Sequence, residues 1–514
     1  MRPEAGPASD AAGWPAFIEP LPDAQAMRDI DRWAGEQGGI SSLELMERAG
    51  RGLADAVARA APKGPIAIVC GGGNNGGDGL VAARLLLAAS RDVHLMLLSS
   101  ADELTGDPAV NLRRLLEAGG ATIVVPFGTE LLRDAAAIVD CVLGTGFSGV
   151  PRAAARAAID AINAAPAAAV IAADVPSGVD ASTGEVPVVA VRATATVTFA
   201  AAKPGLWIHP GKGHAGQVEV LDIGIPAGAP VKADAGLIGS QVLDVIPRRR
   251  PGSTKFTSGY VAVCGGSPGL TGAPSLAAAA AMRAGAGYVT VCLPEALQPS
   301  FAARQPEVMT LALPSRRTAA AVLDKATRGA LVVGPGMGRG SDAQQLAREL
   351  AHRAELPLLL DADGLNAHAG HIEKLAARSA STILTPHEGE LARLLARDAT
   401  EIRARRLHHA RQAARRGRAV VVLKGDDTIV ARPDGLVGIN AVSAPGLATA
   451  GTGDVLSGVL AAMLAKGLDP FTAACAGVRL HALAGMLAAE RVGSAEGVIA
   501  SDVVACLPQA RELR

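Results

Sequence analysis

Residues Gly71 to Gly79 read GGGNNGGDG and directly follow the apolar run Ile66-Ala67-Ile68-Val69-Cys70. A strand, a glycine turn and then a helix with Leu80, Arg84, Leu87 and Ala88 at helical spacing would aim free backbone N–H groups at an anion. Phosphate is the expected guest. Gly71-x-Gly73-x-x-Gly76 fits the dinucleotide fingerprint, but the acid that should hold the ribose is absent, because His94 to Ser100 reads HLMLLSS. An ordinary dehydrogenase is therefore disfavoured. Asp78 would repel a pyrophosphate, which points to side-chain binding by Asn74, Asn75 and Asp78 or to a nearby cation. Three more segments end strands on the same expected edge: Asp140 to Gly146 (DCVLGTG), Asp174 to Asp180 (DVPSGVD) and Thr196 to Phe199 (TVTF). Asn75, Asp140, Asp174 and Ser177 could then converge, since doubly wound sheets bind ligands at the carboxyl ends of their strands. Oxygen ligands with one or two carboxylates suit a hard cation. Asp140 and Asp174 also read as Asx-type turn formers.

A second group of reactive residues lies near the other end of the chain. Ala448 to Asp454 (ATAGTGD) precedes the helical run VLSGVLAAMLA, so the free N–H groups of a helix start would face whatever lies above Asp454. Such a turn stabilises the oxyanions of a transferring phosphoryl group, and the carboxylate can take a proton from an attacking hydroxyl. An acidic N-cap is the competing reading of Asp454. Lys424-Gly425-Asp426-Asp427-Thr428 and Thr385-Pro386-His387-Glu388-Gly389-Glu390, each after a strand, supply the company that phosphoryl transfer needs. His387 also reads as a capping residue, and Glu390 as part of a solvated helix face. Asp361 and Asp363 read as strand-end caps and stay outside the catalytic set.

The elements that must position these residues alternate along the whole chain. IAIVC, DVHLMLL, ATIVV, AIVDCVL, AVIAADV, ATVTF and QVEVLDI are separated by helical stretches, which means a Rossmann-like, doubly wound, mostly parallel sheet. A helix opening on the capping box Ser41-Ser42-Leu43-Glu44 precedes them and is expected to pack, through Leu43, Met46, Leu53 and Val57. Gly224 to Gly236 (GIPAGAPVKADAG) has no periodicity and marks a boundary, giving domains 1–227 and 228–514. The alternation restarts with YVAVCGG, AGYVTVCL, GALVVGPG, LPLLLDADG, STILTPHEG and AVVVLKG, a second α/β domain. The two openings are not a close repeat, so two fused enzymes are expected rather than a duplication.

Composition narrows the partners. Across 514 residues, Lys plus Arg and Asp plus Glu are both 49, so there is no electrostatic footprint for nucleic acid or an anionic membrane. Aromatic residues are 2%, which argues against base-stacking platforms and for helices that pack through small side chains. Six cysteines without a CxxC pair read as buried, reduced thiols. Glu4 and Asp10 precede any apolar run, unlike a secretory signal, and no apolar stretch reaches the ~20 residues of a membrane span. A cytoplasmic homo-oligomer acting on small molecules is expected.

In order, LMERAG, NNGGDG, D-x-x-x-GTG, DxPSGxD, TVTF and K-x-G over Ala24 to Ile225 resemble the NAD(P)H-hydrate epimerase family. The resemblance implies that Asn74, Asn75, Gly76, Gly77 and Asp78, with Gly144, Thr145, Gly146, Phe147, Ser148, Gly149 and Val150, cradle the substrate. It implies that Asn75, Asp140 and Ser177 bind potassium and that Asp174 contacts the reacting end. Inverting a hydroxyl beside a nitrogen needs its departure and return, or ring opening, and Asp174 is assigned as the acid/base. Lys203 contacts the ligand or caps a loop.

The second half resembles the ribokinase-like superfamily, in which GxGD carries the base and NxxE supports magnesium-bound phosphates. His387 stands where that motif has Asn, which disfavours a plain sugar or vitamin kinase. GGSxGxTGA at Gly265 to Ala273, GPGMG at Gly334 to Gly338, DAD at Asp361 to Asp363, TPHxGE and KGxxT are together similar to the ADP-dependent NAD(P)H-hydrate dehydratases. By that resemblance ADP, with Mg2+, phosphorylates the ring hydroxyl, Asp454 deprotonates it and Gly453 holds the developing charge. Lys424, Gly425, Asp426, Asp427 and Thr428 would bind the adenine nucleotide. Ala273, Gly336, Gly338, His387 and Asp454 would touch the hydrated nicotinamide nucleotide, and Glu390 would orient magnesium-bound water. The rival is a small-molecule kinase fused to a nucleotide-binding regulatory domain, which predicts a phosphorylated product that accumulates.

Overall fold

The computed structural model describes residues 14–166, 169–313 and 318–513. Two compact units form, one from Pro20–Ala235 and one from Gly236–Arg514 together with the described residues 14–19. The chain therefore changes unit at 19/20 and again at 235/236, not once at 227/228 as its composition suggests. The cause is strand pairing. β1 (Ile18–Pro20) and β9 (Ala235–Ile238) are adjacent strands of the second unit's sheet, and an apolar segment as short as Phe17-Ile18 shows no readable period.

The first unit holds β2 (Ile66–Cys70), β3 (Val93–Leu97), β4 (Val124–Pro126), β5 (Ala137–Cys141), β6 (Ala169–Ala173), β7 (Ala195–Phe199) and β8 (Gln217–Leu221). All seven are parallel, in the order β4-β3-β2-β5-β6-β7-β8. The central strands β2, β5, β6 and β7 are buried on both faces, and their side chains sort by alternation. Ile66, Ile68 and Cys70 enter the core beneath helices Ser42–Ala60 and Asn74–Ala88, while Ala67 and Val69 enter the core beneath helix Ala153–Ala164. The strand order reverses between β2 and β5, whose ends pair as Cys70 with Cys141, so the loops after them are neighbours.

The second unit holds β1 and β9, then β10 (Tyr260–Cys264), β11 (Tyr288–Pro294), β12 (Met309–Leu313), β13 (Ala330–Val333), β14 (Leu358–Leu360), β15 (Thr382–Leu384), β16 (Val420–Leu423), β17 (Ile429–Ala431) and β18 (Val437–Ile439). Their order is β1-β9-β18-β17-β16-β15-β14-β13-β10-β11-β12. From β16 to β12 all neighbours are parallel, whereas β16, β17 and β18 form an antiparallel meander. Six of these strands, β10, β11, β13, β14, β15 and β16, are legible in the sequence, whereas β1, β9, β12, β17 and β18 are not. Helices do pack through small residues: a Cβ on Gly458 would lie 2.0 Å from the carbonyl oxygen of Ala277. All six cysteines are buried and outside any disulfide. Helix Pro470–Val492 is long and apolar enough to cross a membrane by length and composition, contrary to the reading above, but 83% of its apolar window is buried in the unit's own core.

Candidate active sites in the two units

The first unit opens a cavity of about 720 Å³ at the carboxyl edge of its sheet, above β2, β5, β6 and β7. Its chemistry centres on Asp174. This residue follows β6 with φ of +63°, a conformation that L side chains avoid and that recurs where a structure over-determines a functional group. The buried Lys203 ammonium lies 2.6 Å from Asp174 Oδ1 and also donates to Thr198 Oγ1 at 2.8 Å and the Phe199 carbonyl at 2.7 Å. Thr145 donates to Asp174 Oδ2 through both its hydroxyl and its N–H. Burial alone would raise the Asp174 carboxyl, but the Lys203 charge and these hydrogen bonds outweigh it and hold the group below the usual carboxylate range. Asp78 behaves oppositely. Burial, reinforced by the charges of Asp174 and Asp31, pushes it well above that range, and burial raises Asp31 as well.

Asn74 and Asn75 form the first turn of helix Asn74–Ala88, so the glycine run is not one loop as its composition suggests. Gly76, Gly77 and Gly79 are packing residues. A Cβ on Gly76 would lie 1.9 Å from the Gly71 carbonyl oxygen, and one on Gly77 would lie 2.6 Å from the Met46 sulfur. Among the assigned residues, Asn74, Asn75, Asp78, Gly144, Thr145, Gly146, Phe147, Ser148 and Asp174 line the cavity. Gly76 and Gly77 lie beneath it, and Gly149 and Val150 are exposed beyond its rim. The helix Ser42–Ala60 does more than pack, since Ser42, Leu45, Met46 and Ala49 form one wall. Ser41 caps it, accepting from the Glu44 N–H, but the Glu44 carboxylate bonds Arg48 instead of closing the box.

Below the cavity, Asp140 is fully buried. Ser177 donates to it through its N–H at 2.8 Å and its hydroxyl at 2.5 Å, and the Val142 N–H donates at 3.2 Å. Burial raises the Asp140 carboxyl to about 6 despite these bonds. Asn75 Nδ2 donates to the Leu143 carbonyl at 2.9 Å, which leaves its buried Oδ1 without a partner. An unpaired amide oxygen, a carboxylate with raised pKa and a hydroxyl form an oxygen donor set of the kind a potassium ion takes. Among the described residues no group of three His, Cys, Asp or Glu side chains is arranged for a metal.

In the second unit the ends of β16, β15, β14, β13 and β10 stand side by side and carry the motifs. Lys424 reaches Asp361 Oδ1 at 2.9 Å and Glu390 Oε2 at 3.6 Å, and Ser457 donates to Asp361 Oδ2 at 2.7 Å. Asp454 sits in the first turn of helix Thr452–Ala465. Burial raises it to about 7, helped by the charges of Asp361 and Glu390 and opposed by Lys424. Asp361, left out on sequence grounds, therefore belongs to the site, and the ammonium it holds is what ties it there. His387 does cap helix Glu388–Leu395, accepting from the Gly389 N–H at 3.0 Å, while Glu390 returns to the His387 N–H at 2.9 Å. Glu390 is buried, not solvated. Ala273 packs against Gly336, and the Gly338 N–H donates to Asp363 Oδ2 at 2.8 Å, so Asp363 fixes the GPGMG turn.

A cavity of about 260 Å³ adjoins Lys424 and is lined by Gly425, Asp426, Thr428 and Gly453. Asp427 is not part of it. It is buried in an ion pair with Arg406 at 2.8 Å, and Arg406 also holds Glu388 and the Lys424 carbonyl. Lys203, Asp31 and Phe199 in the first unit, and Asp361, Asn440 and His481 in the second, are among the site-lining or site-bound residues that the motifs left unassigned.

A family model described as NAD(P)H-hydrate dehydratase matches residues 261–509, and one described as YjeF-related protein N-terminus matches residues 42–205. The chain is similar to a bifunctional NAD(P)H-hydrate repair enzyme of Moorella thermoacetica, 39% identical over 95% of this chain and 96% of that one. A protein of the same description from Escherichia coli is 37% identical over 94% of this chain and 92% of its own. Among solved structures, an ADP/ATP-dependent NAD(P)H-hydrate dehydratase of Bacillus subtilis, co-crystallised with ATP and Mg2+, is 30% identical. It covers 52% of this chain and 94% of its own, with a TM-score of 0.45.

Proposed function

The chain belongs to the bifunctional NAD(P)H-hydrate repair enzymes, and on that premise we propose which of its residues carry each step. The unit Pro20–Ala235 epimerises hydrated NADH and NADPH at carbon six. The unit that follows dehydrates the S form at the expense of ADP.

In the epimerase cavity two carboxyl groups have their pKa values pushed apart, which is the pattern that separates an acid from a base. Asp78 is the proton donor that lets the ring hydroxyl leave as water. Asp174, held ionised by Lys203, stabilises the cationic ring left behind and takes the proton when water returns on the opposite face. Thr145 and Thr198 fix the carboxylate, and the uncapped N-terminus of helix Asn74–Ala88 receives the phosphates. Asn75, Asp140 and Ser177 would hold potassium, which supplies positive charge beneath the loop Leu143 to Ser148.

In the dehydratase site the substrate hydroxyl attacks the β-phosphorus of ADP, its proton passes to Asp454 and the bond to the bridging oxygen breaks, releasing AMP. Phosphate then leaves with the electrons of the carbon–oxygen bond, and loss of a proton from the neighbouring carbon restores the ring double bond. Lys424 and the free N–H groups around Gly453 stabilise the phosphoryl oxygens. Asp361 and Glu390 would face the water shell of nucleotide-borne Mg2+, whose charge offsets the three carboxyl groups sharing one ammonium. Gly336, Gly338, Ala273 and His387 line the approach of the nicotinamide nucleotide.

The observation that carries the residue assignment is the placement of each reacting acid beside a lysine at the carboxyl edge of its own sheet. The test is a mixture of R and S hydrates of NADH with ADP and Mg2+, followed by the near-ultraviolet absorbance of reduced nicotinamide. Wild type should recover all of it; Asp174→Asn should recover the S fraction quickly and the R fraction only at the spontaneous rate; Asp454→Asn should recover neither. A phosphate ester accumulating without recovery would sink the dehydratase assignment, and wild-type conversion of the R form by Asp174→Asn would sink that of Asp174.

A further inference from the structure

Another cavity, of about 400 Å³, opens in the second unit where helices Gly272–Arg283, Thr452–Ala465 and Ala500–Ala510 end. Ala273 and Asp454 lie at the opposite ends of the first two helices, about 15–20 Å away at ~1.5 Å per residue, so this cavity is separate from the dehydratase site. Five cations line it, Arg248, Arg249, Arg283, Lys466 and Arg511, against the single carboxylate of Glu512. The chain as a whole has no net charge, so the concentration is local.

Neutral carbonyls, not carboxylates, hold most of these cations in place. Lys466 donates to the Pro247 carbonyl at 3.2 Å, Arg511 to those of Ile246 and Pro247 at 3.1 and 3.0 Å, and Arg249 to that of Ala286 at 3.0 Å. Among the described residues only Arg248 of the five pairs with a carboxylate, Glu512, and both members of that pair are exposed. Five positive charges against one negative leave four uncompensated. The three helix ends offset about half a charge each, roughly 1.5 in all, so capping them does not account for the cluster. Burial, with Arg511 and Arg249 close by, pulls the Lys466 ammonium down to about 8. Gly285 leaves a space between two of the cations: a Cβ there would lie 3.3 Å from Lys466 Nζ and 3.6 Å from Arg511 Nη1. Both carbonyl bonds of Arg511 use Nη2, so Nη1 is left to face that space, and an oxyanion over the glycine would bridge the two side chains.

We propose that this cavity binds the diphosphate group of a small molecule, at a site separate from both active sites. Lys466 and Arg511 hold one phosphate above Gly285, and Arg283, exposed at the rim and without a partner among the described residues, meets the other. Guanidinium groups suit this ligand because their paired N–H donors match two phosphate oxygens. Four uncompensated charges call for a multivalent anion.

The experiment is calorimetric titration of the full chain with inorganic pyrophosphate at ~0.15 M salt, where exposed charges more than ~8 Å apart are screened. Wild type should show a binding event that Lys424→Gln, altered in the dehydratase site, retains. Lys466→Gln and Arg283→Gln should each raise the Kd of that event at least ~10-fold, because each removes a charge-assisted bond. Arg283 is exposed and makes no bond within the described fold, so Arg283→Gln decides the matter even if Lys466→Gln does not fold. Orthophosphate should bind at least ~10-fold more weakly than pyrophosphate, having one phosphate group to offer instead of two. Loss of all binding in Lys424→Gln overturns the proposal, since the event then belongs to the dehydratase site. Wild-type affinity in either folded charge variant overturns it too, as does orthophosphate binding as tightly as pyrophosphate.

Discussion

Asp174 and Asp454 are both half-buried strand-edge or helix-start carboxyl groups, yet their surroundings drive them in opposite directions. Asp174 has a buried ammonium at hydrogen-bond distance and four further donated bonds, so its charge is compensated in place. Asp454 shares a single lysine with two other carboxyl groups and is held near 7 by burial and by their charge. A base of that pKa is half ionised at neutral pH, and dehydration kcat/KM should fall about tenfold per pH unit below about 7. The same shift has a stability consequence. Between the unfolded carboxylate value of about 4 and the folded value of about 7, the unfolded chain releases a proton that the folded chain keeps, so ionisation weakens folding progressively as pH rises through that window. Asp454→Asn should therefore raise the melting temperature relative to wild type at pH 8 and leave it unchanged at pH 4. A thermal scan at the two pH values decides this, and an equal effect at both would place the raised pKa in error.

The turn between β16 and β17 depends on a side chain from a helix some twenty residues earlier. Arg406 is buried in helix Arg406–Gly417, pairs with Asp427 and Glu388 and donates to the Lys424 carbonyl at 3.2 Å. A Cβ on Gly425 would lie 2.5 Å from Arg406 Nη2, so the glycine is what lets the guanidinium reach the turn. Arg406→Met should cost about 3–5 kcal/mol, because it strands the buried Asp427 charge. It should also raise KM for ADP by loosening Lys424 to Thr428, with epimerisation in the other unit unchanged. Chemical denaturation and the two separate assays check both halves; loss of epimerisation as well would mean that the damage is not local. The motif KGDDT was legible as a nucleotide turn, but its second aspartate faces Arg406 instead of the cavity. Nothing in five residues of sequence says which of two adjacent carboxylates points inward.

At the level of the molecule, the first unit is continuous in sequence and the second is not. Residues 20–235 contain all seven strands of their sheet, whereas 236–514 lack β1, which stands at one end of the eleven-strand order next to β9. A fragment 20–235 should fold alone. A fragment 236–514 should be less stable than the same fragment carrying residues 14–19, by about 2 kcal/mol or more, because Phe17 and Ile18 are 2% and 5% exposed and each buries a large apolar side chain. Denaturant titration of the two fragments measures this. Equal stability would mean that the pairing of β1 contributes little.

The alternation of apolar runs with helical stretches determined the two α/β units from sequence alone, because a strand buried on both faces must be apolar along its length. Ordered motifs likewise determined which residues meet at strand ends, since a parallel sheet delivers successive ends to one edge. For that reason Asn75 and Asp174 line one cavity and Ser177 bonds Asp140. Tertiary structure decided the rest. Lys203 and Asp361 join their sites through partners far away in sequence, Gly76 and Gly77 let the helix pack closely, and Asp427 is drawn off by Arg406. The glycine run that reads as a phosphate loop is mostly helix, because only residues without a Cβ let that helix lie against Gly71 and Met46. Periodicity and spacing are local properties of a chain. Which charges share a buried space, and therefore which of them are ionised, depends on contacts between distant segments, and only the folded arrangement sets those.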